Sequence, residues 1–498
     1  MSVSTTVKSI QDIMRQDTGV DGDAQRLSQL CWLFFLKIID DQDQELELTR
    51  DRYQSPIPKK YQWRAWAANP EGLTGEALMT FVNGELFPAL KNLPIGTGPS
   101  ANRRKVVRAV FEDAYNFMKS GQLLRQVINK INAVDFNNLA DRRHFGDIYE
   151  QLLSDLQSAG NAGEYYTPRA VTQFMVDRVD PRPGEILFDP ACGTGGFLTC
   201  AIRHMRDPKN PHGVKSVAGE TRLQSGLRAV EKKQLPHLLC STNMLLHGIE
   251  DPSFVRHDNT LAKPYISWGQ SDRVDVVLTN PPFGGREEDG IESNFPQHFR
   301  TKETADLFLA LIIRLLKPGG RAALVLPDGT LFGEGVKTRL KEALLTECNL
   351  HTIVRLPNGV FNPYTGIRTN LLFFTKGQPT KHVWYYEHPY PPGAKSYNKS
   401  KPIRFEEFAA ERAWWGSEAD GFAARVANEQ AWCVPIEHII ADGYNLDRKN
   451  PHQTNEGPAD LEHLLPEYER LLAQIATTRA KLKAELQQAL TATAGMAE

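Results

Sequence analysis

The sequence predicts an α/β protein: a mostly parallel sheet covered by helices on both faces, with a helical domain before it and a helical tail after it. Three observations carry this. Residues 1 to about 158 read as helical, with apolar side chains at three-and-four spacing: Leu27, Leu30, Cys31, Phe34, Phe35 and Ile38, then Leu123, Val127 and Ile131. From about 160, short β-rich runs alternate with helical stretches, the pattern of a sheet wound on both sides. Beyond about 385 that regularity fades into Pro- and aromatic-rich segments, before a last helix from about Pro466 to Leu490. The expected domains are therefore 1–158, 159–400 and 401–498.

Taken in order, the run Leu30–Leu36, extended by Ile38 and Ile39, is a buried helix; it is far shorter than the ~20 residues a membrane span needs. Asn92–Asn102 is a loop by its Gly and Pro content. The basic run Arg103-Arg104-Lys105 reads as a solvated helix face rather than a nucleic-acid site. Expected strands are Ile186–Phe188, Val214–Ala218, Val274–Thr279, Ala322–Leu326, Thr352–Leu356 and Asn370–Thr375. Expected helices between them are Ala170–Val179, Gly196–Met205, Arg222–Leu246 and Thr304–Leu316, the last stopped by Lys317-Pro318-Gly319-Gly320. In the terminal helix Leu465, Tyr468, Leu472, Ile475, Leu482 and Leu486 fall near a 3.5-residue repeat broken at Arg479. Such a helix either packs on its own domain or is offered to a partner.

Composition is that of a globular chain, with 41% hydrophobic and 24% charged residues among 498. A formal net charge of −2 is low for a protein that grips DNA unaided, so a partner would supply part of any such grip. Six scattered cysteines without a C-x-x-C pair suggest neither a zinc site nor a disulfide framework, and no metal is expected. Reduced thiols and an N-terminus without a signal-peptide pattern point to the cytoplasm, with no membrane partner.

The first motif with chemistry in it is Asp189-Pro190-Ala191-Cys192-Gly193-Thr194-Gly195-Gly196-Phe197-Leu198, directly after an expected strand and opening a helix. Its glycines let the backbone turn tightly and approach a ligand. Asp189 at the sheet's carboxyl edge suits a cationic amino group and repels a pyrophosphate, which favours S-adenosylmethionine over NAD. Gly219-Glu220, after the expected strand Val214–Ala218, supplies an acid for ribose hydroxyls or else a helix N-terminal charge.

The decisive motif is Asn280-Pro281-Pro282-Phe283, at the end of the strand Val274–Thr279. Two prolines cannot continue a strand ladder, and each holds its predecessor extended. The Asn280 amide oxygen and the Pro281 carbonyl can thus be aimed outward as fixed acceptors, with Phe283 as a flat apolar face. Two acceptors and a ring match the exocyclic amino group of a planar base, so catalysis would rest on positioning and fixed dipoles. A base inside a duplex must be flipped out to reach such a site. Before the glycine loop, Thr167-Pro168 looks like a capped helix start, with Thr167 as N-cap, whose free N–H groups suit the cofactor's carboxylate.

The order of Tyr165–Arg169, Asp189–Leu198 and Asn280–Phe283 resembles the adenine-N6 methyltransferases of DNA. The wider chain is similar to the modification subunits of type I restriction–modification systems, as in Asp306–Gly320, Thr365–Thr375 and Tyr444–Asp447. The resemblance implies a Rossmann-like S-adenosylmethionine-dependent methyltransferase domain. It implies cofactor contacts from Glu164, Tyr165, Tyr166, Thr167, Pro168, Arg169, Asp189, Gly193, Thr194, Gly195, Gly196 and Glu220, and an adenine-ring contact at Asp258 or Asn259. Catalytic positions would be Asn280, Pro281, Pro282 and Phe283. Double-stranded DNA is the implied substrate. Two such subunits would join one specificity subunit, to which a restriction subunit can add, with the terminal helix docking on the partner. Competing readings are a self-sufficient adenine methyltransferase, a methyltransferase of protein glutamine, and an assembly subunit without turnover.

Overall fold

The computed structural model describes residues 3–98, 100–112, 114–137, 149, 167–362, 365–394, 396–398, 401–452 and 468–483. Met1–Arg448 form one compact unit and Lys449–Glu498 another.

The first unit is organised on one nine-stranded sheet in the order β3-β2-β1-β4-β5-β7-β6-β8-β9. Its strands are β1 (Leu187–Asp189), β2 (Leu227–Glu231), β3 (Val255–His257), β4 (Val274–Thr279), β5 (Leu316–Pro327), β6 (Cys348–Arg355), β7 (Thr369–Lys376), β8 (His382–Glu387) and β9 (Ala431–Pro435). The first five pair in parallel. β7 runs antiparallel between β5 and β6, and β9 antiparallel beside β8. β1 and the end of β4 are buried on both faces, which is why they read as unbroken hydrophobic runs. The chain winds outward through β2 and β3 on one side of β1, then returns to β4 on the other. That reversal creates the crevice at the carboxyl ends of β1 and β4 where open α/β sheets bind ligands.

The N-terminal helices pack into their own core. The helix Gly22–Thr49 buries Leu27 and Gln29 through Ile39 against Trp63, Phe111, Ile128 and their neighbours. Arg103 differs from the expected solvated face: it is buried and bonds Asp43 at 3.0 Å, so only its neighbour Lys105 is exposed. The helix Gln234–Leu246 joins the two cores. Leu238, Leu239, Leu245 and Leu246 belong to the N-terminal core, whereas Cys240 and Met244 face the sheet core.

Two expected elements are different. Val214–Ala218 is not a strand: Ser216 accepts from Gly219 N at 3.2 Å and caps a helix, Val217–Ser225. Nor does one helix cover Arg222–Leu246. Gly226 ends the first helix where a Cβ would lie 2.3 Å from the Glu185 carbonyl oxygen, and β2 follows before the helix Gln234–Leu246 begins. β8 and β9 also extend the sheet into a region whose sequence showed no regular pattern. In the second unit residues 468–483 are helical, with Tyr468, Leu472, Ile475 and Leu482 exposed. Leu465 and Leu486 lie outside the described residues.

Candidate active site

A cleft of about 270 Å³ opens at the carboxyl ends of β1, β2, β3 and β4. Of the residues expected there, Thr167, Asp189, Gly193, Thr194, Gly196, Asp258, Asn280 and Pro282 line it. Asn259, left as an alternative to Asp258, lines it too. Glu164, Tyr165 and Tyr166 lie outside the described residues.

The glycine turn is held from three sides. Cys192 N donates to the Val230 carbonyl at 3.0 Å, Asn243 Nδ2 to the Thr194 carbonyl at 3.0 Å, and the Thr260 hydroxyl to the Pro190 carbonyl at 2.6 Å. Gly193 and Gly195 take φ of 53° and 84°, the left-handed region that favours glycine. At Gly195 a Cβ would also stand 2.8 Å from Cys240 Sγ, so the turn and the helix Gln234–Leu246 approach as closely as backbone allows. The Arg169 guanidinium lies where a Cβ on Gly196 would be, 2.3 Å from Nη1. Helix Arg169–Val179 begins one residue before the expected Ala170, and its N-cap is Pro168 rather than Thr167.

Asp189 ends β1, buried at 1% exposure. Burial pushes its carboxyl up to about 7. The Thr279 hydroxyl and the Ala191 N–H, at 3.2 Å, pull it down, and nearby Glu231 pushes it up again. A cation brought beside this carboxyl would drive its ionisation.

Glu220 is not in the cleft. It lies on the helix Val217–Ser225 and pairs with Arg206, whose Nε donates at 3.0 Å. The arginine holds its carboxyl below the usual range against the opposing pull of burial. The acid at the end of the second strand is Glu231, which lines the cleft and accepts from Gly193 N at 2.9 Å and Lys233 N at 2.7 Å. The run Val214–Ala218 lies one element before the strand that this acid ends. The usable signal was Leu227-Arg228-Ala229-Val230-Glu231, a short β-prone run between Gly226 and a charged turn.

Asp258 is exposed, and its carboxylate accepts from Asn259 N at 2.8 Å. The Asn259 side chain is committed elsewhere, accepting from Leu261 N and donating to Glu287 at 3.1 Å. Glu287, nearly buried, also meets Lys232 at 3.1 Å and ties the loop after Phe283 to the ends of β2 and β3. Neither Glu287 nor Asn243 belongs to a local motif.

At the end of β4 Asn280 Nδ2 donates to the Thr167 hydroxyl at 2.9 Å, while Asn280 Oδ1 is buried without a partner among the described residues. Pro281 is buried behind it and Pro282 is exposed on the cleft wall. Phe283 is half-buried, edge-on to Phe361 with ring centroids 6.0 Å apart. An acceptor left open at this depth costs about 1–3 kcal/mol, which a donor on an incoming molecule would recover.

A mixed sheet wound in this order, with a glycine turn after β1, an acid ending β2 and a proline-locked asparagine ending β4, defines a methyltransferase of the α/β class. Residues 140–459 match the family model N-6 DNA Methylase, and residues 3–131 the HsdM N-terminal domain. The chain is 63% identical over 497 residues to the type I restriction enzyme EcoEI methylase subunit of Escherichia coli, covering 99% of this chain and 100% of that one. It is 29% identical over 450 residues to the EcoKI methylase subunit of Escherichia coli K12, covering 86% and 78%. A modification subunit assigned to a type I restriction enzyme of Vibrio vulnificus YJ016 superposes with a TM-score of 0.79 at 42% identity, over 93% of this chain and 99% of that one. A chain from work on complex assembly of the type I R-M system gives 0.81 at 36%, over 97% and 98%. This protein belongs to the N-6 DNA methylase family and, within it, to the methylase subunits of type I restriction enzymes. Among the described residues no helix is long and apolar enough to cross a membrane.

Proposed function

We propose that this chain binds S-adenosylmethionine in the cleft at β1–β4 and methylates N6 of an adenine flipped out of double-stranded DNA. The observation that carries the reading is the buried, unpartnered Asn280 Oδ1, fixed at the edge of the cleft that holds Asp189 and the glycine turn. When bound, S-adenosylmethionine supplies an electrophilic methyl group on a sulfonium centre. Asp189 meets its cationic amino group, and the N–H groups at the start of helix Arg169–Val179, with Pro168 and Arg169 beside the glycine turn, face its carboxylate. Glu231 accepts from the ribose hydroxyls with the lone pairs its two backbone bonds leave free. Asp258, rather than the committed Asn259, takes the adenine edge.

Asn280 Oδ1 and the Pro281 carbonyl accept the two N–H groups of the target amine. That pairing draws the nitrogen toward a tetrahedral shape and concentrates its lone pair on the side facing the cleft. Phe283 stacks on the base, and Pro282 closes the wall beside it. No strong base is needed, because the amine loses its proton to water only after it has become cationic. Fixed dipoles and orientation carry the rate.

Sequence choice falls to a specificity subunit, with two chains of this kind per complex and a restriction subunit as a further member. The near-neutral charge supports shared DNA binding, and the exposed apolar positions of helix 468–483 suit docking on that partner. The test is transfer of labelled methyl groups to DNA by the purified chain, with and without the neighbouring gene's product. N6-methyladenine should form, and efficiently only with the partner. Label found on cytosine, or on protein alone, would refute the reading; site-specific transfer by the chain alone would remove the need for a specificity subunit.

A further inference from the structure

We propose that Thr167 is a positioning residue for methyl transfer, whose hydroxyl oxygen anchors the Asn280 amide with its oxygen end turned toward the target amine. This rests on the reading above, in which backbone N–H groups at the helix start, and not the Thr167 side chain, face the cofactor. Thr167 precedes the helix Arg169–Val179 and Asn280 follows β4, so the 2.9 Å bond from Asn280 Nδ2 to Thr167 Oγ1 joins two elements distant in sequence. Both residues line the cleft, and the other end of the same amide, Oδ1, is buried and unpaired among the described residues.

An amide has two ends of nearly equal shape and opposite hydrogen-bonding sense. A half-turn about Cβ–Cγ is cheap in steric terms, but it would set N–H groups against the N–H groups of the incoming amine. A threonine hydroxyl can donate or accept, so by itself it fixes the amide's place and plane in either sense. The substrate's own N–H groups then select the sense in which Oδ1 faces them and Thr167 accepts. Remove the hydroxyl, and whichever end of the amide faces residue 167 loses its partner, so the amide is no longer held in place and plane for the incoming amine. The penalty therefore falls on transfer rather than on the fold or on cofactor binding.

The experiment compares wild type, Thr167→Val and Thr167→Ser, each assembled with the specificity subunit, in single turnovers at saturating S-adenosylmethionine on an unmethylated duplex. Valine keeps the shape and should slow transfer roughly 10- to 100-fold, whereas serine keeps the hydroxyl and should stay within about threefold. The Thr167→Val dissociation constant for S-adenosylmethionine should change by less than about threefold. A duplex with 2-aminopurine at the target position, which has no 6-amino group to pair, should give wild-type flipping fluorescence with Thr167→Val. The proposal is overturned by a valine variant at wild-type rate, by a serine variant as slow as valine, or by a loss that appears in cofactor affinity or in the flipping signal. A wild type that makes no N6-methyladenine would instead sink the reading of the cleft itself.

Discussion

Lowering the pH from 7.5 to 6 should weaken S-adenosylmethionine binding about eightfold, because the cofactor's amino group needs Asp189 ionised. With its carboxyl at about 7 in the empty cleft, Asp189 is roughly one-tenth ionised at pH 6 and three-quarters ionised at pH 7.5. Binding should therefore take up the carboxylate form and release a proton, which calorimetry in buffers of different ionisation enthalpy counts directly. The same shift acts on stability with a defined sign. The folded carboxyl titrates above its ordinary value of 3.8, so the folded state holds a proton that the unfolded state has already released. Without cofactor, Asp189 contributes stability below pH 3.8 that is lost as the pH rises through about 7. Asp189→Asn should bind more weakly at pH 7.5 and show no pH dependence from this source. A wild-type affinity flat between pH 6 and 7.5, or an asparagine variant that keeps the full slope, would refute the reasoning.

Further substitutions separate the parts of the site. Glu231→Ala should lose roughly 10- to 100-fold in cofactor affinity, because it removes an acceptor of two backbone N–H groups inside the cleft. Glu220→Ala, which breaks the half-buried ion pair with Arg206 outside the cleft, should leave that affinity unchanged in the same titration. Gly195→Ala forces a side chain into φ 84° and against Cys240 Sγ, and should cost about 1–3 kcal/mol in denaturant melts. Phe283→Ala should reduce kcat/KM roughly 10- to 100-fold through lost base stacking, with Phe283→Tyr retaining most of it and cofactor binding unaffected in both.

The parts of the fold legible in the sequence were those where local pattern and tertiary environment agree. β1 with its glycine turn and β4 with Asn280-Pro281-Pro282-Phe283 are buried runs closed by residues that cannot continue a strand. The helix Gly22–Thr49 likewise shows its buried face in its spacing. β2 was hidden because helical spacing runs on either side of it, and the helix Gln234–Leu246 is buried almost all round, so it has no polar face to mark its start. The sequence pattern therefore points to Glu220 rather than Glu231 as the acid at the second strand. β8 and β9 pair with each other across a long intervening segment that carries no period of its own. The Thr167–Asn280 bond and the Glu287 hub are products of tertiary folding that no local motif announces.

The central claim is a nucleobase amine held by Asn280 and Pro281 over the cofactor cleft. It is tested most directly by a structure of the assembled complex on its DNA site with a non-reactive cofactor analogue. The account predicts the target adenine outside the helix stack, its ring against Phe283, and N6 within ~3 Å of both Asn280 Oδ1 and the Pro281 carbonyl oxygen. A target base engaged by other residues, with Asn280 Oδ1 still unpaired beside a filled cofactor cleft, would contradict it.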